Sequence, residues 1–141
     1  MLFLVILSVA IATVNGYSSG APMDPEVCES LIPKHPGSPQ TSPSPYLVEV
    51  DKQQVAPGEV VQVGISSETI LFKGFLVQAR RAGGSNDVTP RGLFSKANNP
   101  HYKTLKCAAS EDTITHKSAE DKTHVSLKWV APKEKGIYII L

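Results

Sequence analysis

The 141-residue sequence predicts an all-β fold in which two packed antiparallel sheets follow an extended N-terminal arm and one disulfide holds the whole together. Three observations predict it. After Pro45 the chain runs in short apolar and polar alternations broken by turn residues, the texture of strands with one buried face. From Pro33 to Pro45 stand five prolines, which neither a helix interior nor a central strand accepts, because proline lacks the ladder N–H and fixes its own φ. Cys28 and Cys107 are the only cysteines, and the segment ahead of them reads as an export signal.

That segment, residues 1–16, has no charged side chain and is apolar from Leu2 to Val14, too short to cross a bilayer as a mature helix. It is expected to be a signal peptide cut after Gly16, with Val14 and Gly16 as the small residues before the cut. The product is then a secreted, extracellular protein whose single domain runs from Tyr17 to Leu141. No second apolar stretch reaches spanning length, so no integral membrane segment is expected. In an oxidising compartment Cys28 and Cys107 should pair, and their wide separation without a C-x-x-C argues against a redox pair or a zinc knuckle.

Residues 17–45 read as an extended arm pinned at Cys28. Tyr46, Val48 and Val50 share one face of the first strand, and Val61, Val63 and Ile65 share one face of the next. Between them Ala56-Pro57-Gly58-Glu59 fits a type II turn, with proline presetting φ and glycine supplying the positive φ. Phe72 to Arg81 is apolar on both faces, the pattern of a central strand with contacts on each side. Residues 82–100 form a long loop, extended at most around Leu93-Phe94. Strands return at Tyr102 to Cys107, where Leu105 and Cys107 face the same way, at Thr113 to His116, at His124 to Val130 and at Gly136 to Leu141. An inward cysteine and a core Trp129 packed on the disulfide complete the pattern of an immunoglobulin-like two-sheet antiparallel sandwich. The last apolar run stops at Leu141 without a turn after it, as though a further strand were missing or truncated.

The net charge is +1, unevenly spread. Residues 17–72 carry seven acidic and two basic side chains, whereas Lys73, Arg80, Arg81, Arg91, Lys96, Lys103 and Lys106 face only Asp87 in the next stretch. Arg80, Arg81, Arg91, Lys96 and Lys103, at a strand end and around the long loop, are the candidate residues for an anionic ligand, since arginine grips phosphate bidentately. The alternative is a solvated positive face. His35, His101, His116 and His124 lack metal-ligand spacing, and His116 reads as a hydrogen-bonded structural residue. No nucleophile elbow, phosphate loop, dinucleotide fingerprint or Asn-x-Ser/Thr sequon occurs. A non-catalytic binding module is expected, monomeric, without metal, cofactor or nucleic-acid partner.

Several stretches in order resemble one family: Tyr17-Ser18-Ser19-Gly20-Ala21-Pro22, Cys28, Pro33-Lys34-His35, Pro57-Gly58, Phe72 to Arg80, Gly92-Leu93-Phe94, Leu105-Lys106-Cys107, Thr115-His116-Lys117 and Leu127 to Pro132. Together they are similar to the reeler domain of reelin and spondin-type matrix proteins. A free-standing copy behind a signal peptide most resembles small insect defence proteins of the noduler type. The resemblance implies an immunoglobulin-like sandwich, a Cys28–Cys107 disulfide, secretion, and an innate-immunity or antimicrobial role with lipopolysaccharide, other microbial surface polysaccharide and blood cells as partners. It carries over no binding residues. Adhesion to extracellular matrix or a cell surface is the alternative function; reeler-bearing ferric reductases need haem ligands on transmembrane helices, which this sequence does not contain.

Overall fold

The computed structural model describes residues 17–141 apart from 36, 84, 85 and 97; the expected signal segment lies outside the described residues. One short helix, α1 (Pro25–Ser30), precedes eight strands: β1 (Leu47–Val50), β2 (Val60–Ser66), β3 (Leu76–Arg81), β4 (Leu93–Phe94), β5 (Tyr102–Leu105), β6 (Thr113–His116), β7 (His124–Val130) and β8 (Tyr138–Ile140). Two four-stranded antiparallel sheets result, ordered β1-β2-β7-β4 and β5-β6-β3-β8, as the alternating pattern predicts. Strand alternation places Val61, Val63 and Ile65 of β2 and Val125, Leu127 and Trp129 of β7 on one inner face. Val77 and Ala79 of β3 and Ile114 of β6 supply the other, with Phe72 and Phe94 filling between them.

The Ala56–Glu59 turn has the expected form: Glu59 N–H donates to Ala56 O at 3.0 Å and Gly58 sits at φ +80. At β1 the shared face is present but poorly covered. Val48 and Val50 lie opposite Ile65 and Val63, on the correct side, yet remain 50% and 38% exposed because β1 is an edge strand with no neighbour to close over it.

The arm is also not wholly extended. Asp24 caps α1, accepting from Glu26 N–H at 2.9 Å, and Pro25 occupies the first helical position. The helix ends at Leu31, whose φ of 58 closes an αL cap with its N–H on Val27 O. Val27 turns inward and is buried.

The disulfide is present, with Cα atoms 5.6 Å apart, but it does not lie between the sheets. Leu105 pairs with Thr113 and Thr113 with Gln78, which fixes all three on the outer face of the second sheet. There the Gln78 amide donates to Cys28 O at 3.1 Å and to Thr113 Oγ1 at 3.0 Å. The bond therefore fastens α1 of the arm to the loop after β5, outside the sandwich. Trp129 correspondingly packs elsewhere: its Nε1 donates to Arg91 O at 3.0 Å, and its ring meets Tyr138 with centroids 5.9 Å apart.

Gly92 makes that tryptophan site possible. It has φ +72, and a Cβ there would stand 2.5 Å from both Trp129 Nε1 and Val130 O. Gly92→Ala is expected to destabilise the fold by about 2 kcal/mol, combining a left-handed backbone with a clash against main chain. A urea unfolding midpoint unchanged from wild type would show that this bend is not required.

Candidate functional site

The five basic residues marked by the sequence do not form one patch. Arg80 is 8% exposed and faces the arm, where its Nη2 donates to Cys28 O at 2.9 Å, to Glu29 O at 2.8 Å and to Gln78 Oε1 at 2.8 Å. The two backbone acceptors are carbonyls in the last turn of α1, which carries no basic residue of its own. A helix end exposes such carbonyls without partners, and a cation beside them is favourable. Burial pulls the Arg80 guanidinium below its ordinary pKa, with Glu29 opposing. Its assignment to an external anion is therefore corrected: Arg80 is the latch of the arm.

Arg81 and Arg91 are also engaged. Arg81 pairs with Glu134, and Arg91 reaches Asp87 at 2.7 Å and Glu134 at 3.7 Å. Hydrogen bonds from Thr89 and Arg91 hold Asp87 well below the usual carboxylate range. Both arginines thus meet carboxylates of their own chain, and the field they would present to an anion is largely cancelled.

Lys96 and Lys103 remain. Together with Lys117 they line a groove of about 470 Å³ beside edge strand β5, with Ser95, Asn98, Asn99, Tyr102 and Thr104 as its other walls. Among the described residues none of these three lysines has a carboxylate within ion-pair distance. Lys117 escapes a reading by stretches because it enters through pairing: the β5–β6 ladder ends where Lys117 N–H donates to His101 O at 2.8 Å. Lysine ammonium groups can bind phosphate or carboxylate, and the amide and hydroxyl side chains can hydrogen-bond sugar hydroxyls; the stem of Lys103 runs beside Gly20 of the arm.

A second cavity, of about 490 Å³, lies between the arm and the second sheet. Ala21, Pro22, Val27, Leu31, Pro33, Phe75, Leu76 and Ala119 give it an apolar interior. His116 forms part of its wall, accepting Phe75 N–H at Nδ1 and directing Nε2 to Tyr17 O at 2.8 Å, so it serves structure as expected. Among the described residues no three of His, Cys, Asp or Glu gather as a metal site would require, and no helix is long and apolar enough to cross a membrane.

A two-sheet sandwich whose N-terminal arm is bolted to one outer face by a disulfide defines the class: an all-β module with a cationic groove at a sheet edge and an apolar cavity under the arm. The sequence profile of the family described as Reeler domain matches residues 26–141, and the chain belongs to that family. It is 38% identical over 136 residues to “Putative defense protein Hdd11” of Hyphantria cunea, a match spanning 92% of this chain and 78% of that protein. It is 31% identical to “Putative ferric-chelate reductase 1” of Danio rerio, spanning 92% of this chain but only 22% of that protein, where the matched region is one part of a much longer chain. The fold is similar to “The crystal structure of Reelin-N domain of F-spondin”, with a TM-score of 0.57 over 74% of each chain at 18% identity.

Proposed function

We propose that the protein is a secreted, non-catalytic defence module that binds polyanionic components of microbial surfaces, lipopolysaccharide among them, along the Lys96–Lys103–Lys117 groove. The observation that carries the defence role is the match to insect proteins named for defence, which runs through most of both chains. What supports the binding mode is a cationic groove free of internal carboxylates, at a sheet edge where loop and strand side chains project together. Recognition of this kind is electrostatically steered, so it weakens as salt rises.

The test compares wild type with the Lys96→Glu, Lys103→Glu, Lys117→Glu triple variant in retention on lipopolysaccharide-coated beads and on whole bacteria. The triple variant is expected to lose about tenfold or more in affinity, equivalent to at least about 1.4 kcal/mol. Equal retention of both proteins at low and high salt would overturn the reading. Arg80 is left untouched, because changing it would test folding instead.

A further inference from the structure

We propose that the cavity between the arm and the second sheet binds the acyl chain of an anionic amphiphile. This extends the proposed function by assigning a place for the lipid part of a microbial ligand, separate from the groove for its polar part. The interior is built from side chains that gain by excluding water: Val27 and Leu31 from α1 and its cap, Phe75 just before β3 and Leu76 at its start, Pro22 and Pro33 from the arm. Its volume, about 490 Å³, falls within the range of small-molecule sites. An open, apolar-walled space of this size is favourably filled by hydrocarbon, since every methylene removed from water contributes about 0.8 kcal/mol.

The wall also sets the sign of the head group. Every ionisable side chain lining the cavity other than Tyr17 is basic: Lys34, His35, Lys73 and His116. Lys34 is held by Asp24 and Glu26 at 2.9 and 2.6 Å. Lys73 is different, with its side chain 70% exposed and its one carboxylate, Asp121, at 3.7 Å, so it can turn to an incoming anion. If the leader is removed after Gly16, the α-ammonium of Tyr17 adds a second cation at the same wall.

The mouth is preorganised. Lys122 is 6% exposed and donates from Nζ to Lys73 O, Ser118 O and Glu120 O at 3.0, 2.8 and 2.7 Å. One buried ammonium thereby fixes the Lys73 backbone to the 118–120 loop, which carries Ala119 of the cavity wall. A rigid opening spares the ligand the cost of ordering it.

The experiment titrates the secreted mature chain with the fluorescent fatty acid cis-parinaric acid and, in parallel, with its methyl ester. Wild type is expected to take up the acid with enhanced emission. Ala119→Trp and Ser18→Trp, both at exposed wall positions, fill the opening without touching the core and are expected to weaken uptake about tenfold each while keeping the wild-type unfolding midpoint. Lys73→Glu is expected to weaken the acid several-fold and leave the ester unchanged. No uptake by wild type, or undiminished uptake by both tryptophan variants, overturns the proposal. Retention on lipid-free polysaccharide, governed by the lysine groove, is measured on the same samples, so failure of either site is seen independently of the other.

Discussion

Replacing Cys28 and Cys107 together by serine is expected to remove about 4 kcal/mol of stability, because the bond spans 79 residues and closes a large loop in the denatured chain. The loss should be read by urea unfolding of the double variant against the oxidised protein. Two stages are expected rather than one. The core residues of the sandwich are a separate set from Val27 and Leu105, which are buried near the bond. Without the bond the arm should open first, detected as fast amide exchange over residues 17–33, while β2, β3, β6 and β7 stay protected. A double variant as stable as wild type, to within about 1 kcal/mol, would mean that the arm is held by its non-covalent contacts alone.

The second large effect is expected at Arg80. Arg80→Ala should cost about 3 kcal/mol, since it leaves the buried Gln78 Oε1 and Glu29 O without their donor, removes one of the two donors to Cys28 O and uncaps the carbonyl end of α1. Its sequence neighbour provides the control. Arg81→Ala breaks a half-exposed pair with Glu134 and should change stability by less than about 1 kcal/mol. Thermal or chemical unfolding of the two variants decides the matter: equal midpoints would remove the latch from the account. Arg80→Lys should recover little, because a single ammonium cannot reproduce the guanidinium fork.

These two arginines illustrate how far the sequence could be read. Alternation in residues 60–66 and 124–130 located β2 and β7 and their buried faces, because a sheet with one wet side imprints a period of two on its strands. The two apolar faces of Phe72–Arg81 correctly implied contact on both sides of β3. What the pattern could not say is which layer covers the second side. That layer is the arm, and its docking depends on Cys28 and Glu29, more than fifty residues from Arg80. Charge alone does not distinguish an arginine turned to solvent from one capping a distant helix. For the same reason the sequence does not show that Leu105 looks out toward the arm, or that β5 ends there and leaves Cys107 in the loop beyond.

α1 was legible in principle. Asp24-Pro25-Glu26 carries the cap, the first-turn proline and the first-turn acid of a helix start. Six residues are too few for an apolar period to register, and the prolines after Leu31 masked the signal. The candidate site was half legible. Lys96 and Lys103 lie in one stretch, but Lys117 joins them only through the β5–β6 register. The cavity under the arm left no local signature, since its walls come from four separate parts of the chain.

Because the arm wraps the outside of one sheet, the molecule is layered unequally. Among the described residues the flank formed by β1, β2, β7 and β4 is not covered by the arm; its centre shows Gln62, Gly64, Ser126 and Lys128, while Val60, Val130 and Leu93 adjoin at one end. If the groove and the cavity bind as proposed, both are narrow, and they suit slender chains of sugar or lipid more than the faces of folded proteins.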